Sequence, residues 1–507
     1  MSKRVKITQH KLFFIVEFYN KQDELSVRTL THNLTAYEIE WNKRFKRYVR
    51  KGSKNYFVYD IRTNEFRFPI KQISNFMVLL RHHGFAKDDI EYSKKNDSDY
   101  SFTPLHLNVS KNYTLRDYQE QYRDIIINGK ESIYLIDASV GSGKGLTSCA
   151  SICSLNMRTI ILVLPKFVEK WIKDALEYTN VSKEDIYVVQ GSESLISLML
   201  EEDLQYKFII ISLRTFSNYL TEYEMVGQPF PYPVKPQHLM EHLKAGIVYN
   251  DETHAHFHAV SHAMLYLDAL HFIGSTATFD SNNATTKKLY NLIIPPENRI
   301  SNLVKRDPYV NATSIRYELE VNKNIKFTGG KGYNHNKFEQ SLLRSHIGFV
   351  HYKDMIIHYL NKYFINVRKV EDKCLIFFAS VDLCTTFVSV LKKEYSNLDI
   401  RRYCEGDPYD NILTANITCS TVLRSGTGLD IPNLTTVIQT ISIYSLQSNI
   451  QSFGRLRKLK DKEVRFIWFW TNDIKNQRML HIERFKILNK SFKDYTEEVY
   501  PKIIKTK

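Results

Sequence analysis

Ile133-Tyr134-Leu135-Ile136-Asp137-Ala138-Ser139-Val140-Gly141-Ser142-Gly143-Lys144-Gly145 opens on an apolar, β-prone run and closes on a glycine-rich turn that opens a predicted helix. A short, continuous apolar run bounded by turn residues predicts a strand buried on both faces, as in a parallel sheet. A turn that leads from such a strand into a helix is a place to bind phosphate. Glycines let backbone N–H groups converge on the anion, the helix N-terminus adds positive potential, and a lysine reaches the β- and γ-oxygens. Gly141, Gly143 and Lys144 fit these roles, with Ser139 and Ser142 beside them in the turn. The usual spacing, GxxxxGK followed by Ser or Thr, is broken at both ends: Ala138 replaces the first glycine, and Gly145 stands where a hydroxyl should hold Mg2+. Thr147 lies two positions further on, about 200° around a helix, and cannot simply substitute. Mg2+ is therefore expected on phosphates, water and a later carboxylate, and Gly145→Thr is expected to be tolerated or to sharpen the dependence on Mg2+.

That carboxylate follows the next clear strand pattern, Gly246-Ile247-Val248-Tyr249, in Asn250-Asp251-Glu252-Thr253-His254. An acid at the C-terminal end of a strand can hold Mg2+, and its neighbour can orient and deprotonate the water that attacks a γ-phosphate. Asp251 is assigned to the metal and Glu252 to the water. A competing reading takes His254, His256 and His258 as a transition-metal cluster, but no cysteine or carboxylate at ligand spacing joins them.

Around this centre the 507 residues alternate apolar runs with helical stretches, the pattern of βαβ units. Predicted strands are Ile133 to Ile136, Thr159 to Leu164, Phe208 to Ile211, Gly246 to Tyr249 and His271 to Gly274. A second series follows: Cys374 to Phe378, Asp399 to Tyr403, Ile417 to Val422, Thr435 to Gln439 and Val464 to Trp470. Two tandem α/β domains with parallel sheets are expected over 106–300 and 301–507, with a linker or insertion at 301–350 where little periodicity is visible. Residues 1–105 read as a small α+β domain with one helix, Ile73 to His83, and a polar linker from Tyr92 to Tyr100.

The charge is uneven. The chain carries a formal +15, and its first hundred residues hold twenty basic against twelve acidic side chains, an excess of +8. From Trp41 to Lys54 there are seven Lys or Arg, no acid and three aromatics. Such a mixture neutralises phosphates and packs against bases or sugars, so Lys43, Arg44, Lys46, Arg47, Arg50 and Lys51 are candidate nucleic-acid contacts. A solvated hairpin is the plainer alternative. The six cysteines form no CxxC pair and read as reduced thiols of a cytoplasmic protein. The apolar run Leu12 to Val16 is too short to target or span a membrane.

Taken in order, the motifs resemble those of superfamily 2 helicases and translocases of the DExH form over about 400 residues from Tyr113. Leu115-Arg116-Asp117-Tyr118-Gln119 is similar to the family's LRxYQ element. The resemblance implies that Gln119, with Arg116 beside it, serves adenine. Thr159 to Trp171 resembles the strand and proline turn that lie along nucleic acid, which implies contacts from Pro165 and Lys166, and Ile211 to Phe216 resembles the next nucleic-acid loop, with Arg214 and Thr215. Asp251-Glu252-Thr253-His254 has the DExH form, and Ser275-Thr276-Ala277-Thr278 resembles the motif that couples hydrolysis to movement, so His254, Thr276 and Thr278 are implied in coupling.

In the second domain, Leu375 to Ala379 resembles the strand of motif IV. Thr421 to Pro432 resembles motif V, with Gly428 and Asp430 implied at the nucleotide and Thr421 at nucleic acid. Gln451 to Lys458 resembles the QxxGRxxR element, which implies Gln451 and the fingers Arg455 and Arg457 around the γ-phosphate. The family's last arginine falls on Lys458, so Arg457 and Lys458 both remain candidates for the second finger.

A small basic domain ahead of two motor domains resembles the UvsW-type phage repair helicases. This implies an ATP- and Mg2+-dependent DNA helicase with RecG-like remodelling of forks and four-way junctions, monomeric and cytoplasmic in a bacterial host. An RNA helicase, a duplex translocase that leaves strands paired, and a non-catalytic nucleic-acid-binding protein are the alternatives.

Overall fold

Alternating apolar and polar residues in β1 (Val5–Gln9) and β2 (Phe13–Phe18) turn Val5, Ile7, Phe14 and Val16 inward. The computed structural model describes residues 3–42, 47–139, 141–277, 279–281, 283–301, 303, 307–329, 332–422 and 431–507, with the side chains of 39–42 and 47–48 left out. By its internal contacts the chain forms two units, residues 1–304 and 305–507.

The first unit opens with β1, β2, β3 (Thr35–Asn42), β4 (Arg47–Asn55), β5 (Val58–Asp60), β6 (Glu65–Pro69) and β7 (Ile90–Lys94). Five of these form a sheet in the order β5-β6-β2-β1-β7, antiparallel except for β1 with β7. The helix Ile73–His82 covers it, with the Phe76 ring 5.6 Å from Phe14 and 6.1 Å from Phe68. The strands β3 and β4 stand apart as a two-stranded antiparallel ribbon that carries the basic run. The expected linker from Tyr92 begins inside β7, because an edge strand is held by main-chain bonds and its side chains can stay exposed and polar.

The unit continues with β8 (Ile133–Asp137), β9 (Thr159–Val163), β10 (Ile186–Val189), β11 (Phe208–Ser212), β12 (Ile247–Asp251), β13 (His271–Thr276) and β14 (Arg299–Ser301). They form one parallel sheet in the order β10-β11-β9-β12-β13-β8-β14. The residues of β9, β11 and β12 are all buried, which is why these strands read as unbroken apolar runs. The two strands that the sequence hid, β10 and β14, are short edge strands with less apolar surface to bury.

A single apolar core joins the N-terminal sheet to this one. Polar ties reinforce it: Asp268 accepts from His10 at 2.8 Å and from Lys95 at 2.7 Å, Gln72 Nε2 donates to Leu292 O at 2.6 Å, and the Tyr223 hydroxyl donates to Asp60 at 2.9 Å. The N-terminal sheet is thus built onto the seven-stranded sheet of the same unit.

The second unit comprises β15 (Val310–Leu319), β16 (Thr328–Gly329), β17 (Gly332–Tyr333), β18 (Lys373–Phe378), β19 (Ile400–Tyr403), β20 (Ile417–Thr421), β21 (Leu434–Gln439), β22 (Val464–Thr471) and β23 (Phe492–Ile504). A minimal hairpin pairs β16 with β17, and the other seven strands are parallel in the order β19-β20-β18-β21-β22-β15-β23. Within 301–350, β15 runs between β22 and β23, and the helix His335–Arg344 buries Phe338 and Leu342. Asn311, Thr313 and Ser314 broke the apolar signal of β15 although Thr313 and Ser314 are buried.

The chain is therefore α/β, two RecA-like parallel-sheet domains after a small α+β domain. All six cysteines are buried and none forms a disulfide. Among the described residues no helix is long and apolar enough to cross a membrane.

Candidate active site

Between β8 and the helix Lys144–Leu155 the chain turns through Gly141 and Gly143 at φ values of 77° and 78°, where any Cβ is strained. At Gly143 a Cβ would also lie 2.7 Å from Gln119 Nε2. Lys144 opens the helix and donates to the Ala138 carbonyl at 3.1 Å, so its side chain folds back across the turn. Ser142 is buried, its Oγ has no hydrogen-bond partner among the described residues, and its N–H donates to Ser139 O at 3.2 Å.

The segment around Gln119 braces the loop. Gln119 Oε1 accepts from the Arg116 N–H at 3.0 Å, and its Nε2 donates to Gly143 O and Thr147 Oγ1, both at 3.3 Å. Arg116 reaches the Tyr118 hydroxyl at 2.9 Å, and that hydroxyl donates to Ser142 O at 2.9 Å. Thr147 donates to Gly143 O at 3.1 Å and is buried, as its position around the helix requires. Gly145 faces the helix Val168–Tyr178, where a Cβ would meet Asp174 Oδ2 at 2.7 Å and Tyr178 Cε2 at 3.5 Å. A side chain at 145, as in Gly145→Thr, must displace the Asp174 carboxylate, the far end of a side chain.

At the end of β12, Asp251 is buried and fully hydrogen-bonded. Its Oδ2 accepts from Trp171 Nε1 at 2.9 Å and Lys170 Nζ at 3.0 Å; its Oδ1 accepts from Ser275 Oγ at 2.9 Å and the Glu252 N–H at 3.0 Å. Burial pushes its carboxyl pKa up, but the Lys170 ammonium and these donors more than reverse that, leaving it well below the usual carboxylate range. A buried chain of hydroxyls, Ser148 to Tyr249 at 3.1 Å and Tyr249 to Ser275 at 2.6 Å, extends from the loop's own helix to Asp251. Glu252 is buried and held at φ 53°, a left-handed value that costs a non-glycine residue and persists only where its surroundings enforce it. Thr253 N–H to Ser275 O at 3.0 Å and Ala255 N–H to Glu252 O at 2.7 Å supply that enforcement.

His254 connects three motifs. Its Nδ1 lies 2.7 Å from Thr276 Oγ1 and 3.3 Å from Glu252 Oε2, and Thr276 O accepts the Ala138 N–H at 3.1 Å. Burial pushes its pKa below the ordinary histidine value against the pull of Glu252. The other histidines go elsewhere: His256 is exposed, and His258 Nε2 donates to Asn55 O at 2.8 Å. Among the described residues no three potential protein ligands assemble around a metal, which leaves the histidine-cluster reading without support. Mg2+ binds through one or two carboxylates completed by phosphates and water. Asp251 and Asp174 fit that donor set, each turning Oδ2 to Lys170 Nζ, at 3.0 and 3.3 Å.

Residues 112–281 match the family model described as the res subunit of type III restriction enzymes. The matched segment is 170 of the 507 residues. Among solved structures, T4 UvsW is similar over 99% of both chains, at 13% identity and a TM-score of 0.33. A point variant of S. cerevisiae Dbp5 bound to RNA and ADP BeF3 is similar over 77% of this chain and 91% of its own, at 14% identity and a TM-score of 0.49. Dbp5 itself in the same bound state gives 76%, 89%, 13% and 0.47. No curated protein matches the chain.

In the matched segment, Pro165 and Lys166 are exposed just beyond β9, and Arg214 is exposed just beyond β11. These strands are parallel neighbours, so all three residues lie on the sheet edge that carries the glycine turn, Asp251 and Thr276. Thr215 is buried and accepts the Gly191 N–H at 2.9 Å, so it shapes a loop. Thr278 lies outside the described residues, as do Lys43, Arg44 and Lys46; Arg47 is described in its backbone alone. Arg50 and Lys51 are exposed on β4, with the Arg50 guanidinium 3.2 Å over the Tyr37 ring.

In the second unit, Gly428 and Asp430 lie outside the described residues. Thr421 ends β20, Gln451 is buried in the helix Leu446–Phe453, and Arg455 is buried in the turn that follows. Arg457 donates to the Gly454 carbonyl, and Lys458 is exposed. Sequence reasoning missed Lys170, Asp174 and Ser275. The i,i+4 spacing of Lys170 and Asp174, beside a buried tryptophan whose N–H needs an acceptor, was the available signal.

Proposed function

We propose that this motor is an ATP- and Mg2+-dependent DNA helicase that remodels branched DNA, regressing forks and migrating four-way junctions, in the cytoplasm of a phage-infected bacterium. In this reading 1–105 grips DNA, and 106–300 and 301–507 are the motor domains. Lys144 and the helix N-terminus hold the β- and γ-phosphates, Gln119 sets the loop beneath them, and Glu252 orients the attacking water and takes its proton. Asp251 would be a protein ligand of Mg2+, which would supply charge neutralisation at the phosphates. His254 and Thr276 carry the change at the phosphate to the loop and β13. We assign to Arg455 and Arg457 the stabilisation of transition-state charge.

The observation that carries the DNA-remodelling reading is the fastening of the basic ribbon to the segment after Glu252. Asn55, at the end of β4, accepts from His258, and the Tyr56 ring packs 5.0 Å from His258 and 5.9 Å from Phe257. A ribbon that grips phosphates would thus be joined directly to the hydrolytic turn. The test compares ATPase rates at matched salt with no nucleic acid, single-stranded DNA, a four-way DNA junction and structured RNA. Strongest stimulation by the junction is the expected result, and stimulation by RNA alone would overturn the DNA reading. Replacing Arg44, Arg47 and Arg50 with Ala should lower the slope of log affinity against log salt by about 1 for each arginine that touches phosphate. An unchanged slope in a junction-binding titration would place recognition elsewhere.

A further inference from the structure

We infer that Asp174 supplies the side-chain oxygen that Gly145 lacks, so that Mg2+ with ATP is held on an Asp174–Asp251 carboxylate pair. This rests on the nucleotide reading above and concerns how this loop does without its usual hydroxyl. A serine or threonine at 145 would project an oxygen one bond beyond its Cβ. Asp174 Oδ2 lies 2.7 Å from that Cβ position, so a carboxylate oxygen from the neighbouring helix already borders the volume a hydroxyl would fill. The absence of a side chain at Gly145 is what lets that carboxylate come so close.

The second carboxylate converges on the same place. Lys170 Nζ stands 3.3 Å from Asp174 Oδ2 and 3.0 Å from Asp251 Oδ2. The side chains of Asp174 and Asp251 are 14% and 7% exposed, whereas that of Lys170 is 34% exposed. Two sheltered anions therefore share one monovalent cation, and the cation is the partner with a path to solvent. Once Lys170 swings outward on its flexible stem, a divalent ion between nucleotide phosphates and these oxygens matches the charge of the two carboxylates. A carboxylate in place of a hydroxyl also adds a full negative charge on the metal side, so nucleotide binding by this loop depends more steeply on the divalent ion.

The experiment uses the full chain, a non-hydrolysable ATP analogue and Mn2+ as the probe, with bound Mn2+ read by electron paramagnetic resonance. Binding of a fluorescent ATP analogue in EDTA is measured in parallel. Asp174→Asn, which keeps shape and loses charge, is expected to weaken Mn2+ in the ternary complex by about 10- to 100-fold, with metal-free nucleotide binding and Tm unchanged. Asp174→Ala combined with Gly145→Ser is expected to regain Mn2+ affinity, since removing the carboxylate opens the space for a hydroxyl. Unchanged Mn2+ affinity in Asp174→Asn would overturn the inference, and so would an equal loss of metal-free binding, which marks a merely structural carboxylate. Failure of the wild-type chain to bind nucleotide at all would instead overturn the nucleotide reading, before any variant at 174 is compared.

Discussion

Lys144→Ala is expected to lower ATP turnover by about 100-fold or more, the scale for removing one preorganised donor from a developing charge. DNA binding should survive. The side chain donates to the Ala138 carbonyl, within the turn, and alanine is the residue a helix tolerates best. The turn itself is set by Gly141 and Gly143 at positive φ and by Gln119 and Tyr118 beneath it, all of which the substitution leaves in place. What is lost is the cation at the helix start that meets the phosphates. The measurement is the DNA-saturated ATPase rate beside a junction-binding titration of the same preparation. Turnover equal to wild type would remove Lys144 from the site and, with it, the assignment of the glycine turn.

The parts of the fold that were legible in the sequence were those whose burial is complete. Strands β9, β11 and β12 have neighbours on both sides and are covered on both faces, so nothing polar interrupts them. Strands at edges escape that demand. The polar β7 and the three-residue β14 are held by main-chain bonds, and β23, Phe492–Ile504, leaves most of its side chains exposed. The interior strand β15 was hidden for another reason, since its hydroxyl groups are buried: Ser314 bonds to the Tyr495 hydroxyl at 2.8 Å across to β23.

The site divides along the same line. Lys144, Asp251 and Glu252 could be named because each stands at or beyond the C-terminal end of a buried strand, Lys144 after the glycine turn that follows β8. Asp174 and Ser275 could not. Their roles come from packing between helices and from the neighbouring strand, which one-dimensional spacing does not carry. Gln119 shows the same limit: the resemblance assigns it to adenine, but the bonds from its amide to Gly143 and Thr147 depend on how two helices meet.

Glu252→Gln is expected to lower the hydrolytic rate by about 100- to 10,000-fold while ATP still binds, the range for loss of a positioned general base. The substitution keeps size and leaves the neighbours intact. The turn is enforced by main-chain bonds from Thr253 and Ala255, which do not involve the side chain, so the strained φ of 53° survives. Asp251 keeps its bonds to Trp171, Lys170 and Ser275, and His254 keeps Thr276. An amide can still orient water, but it cannot take the proton. ATP should therefore accumulate uncleaved on this variant, whereas Lys144→Ala should hold ATP weakly from the start. Single-turnover assays with radiolabelled ATP separate the two by counting bound nucleotide before and after a chase. A Glu252→Gln protein that releases ADP and phosphate at the wild-type rate would show that the water is activated by another group. His254, whose Nδ1 lies 3.3 Å from Glu252 Oε2, would be the next to replace.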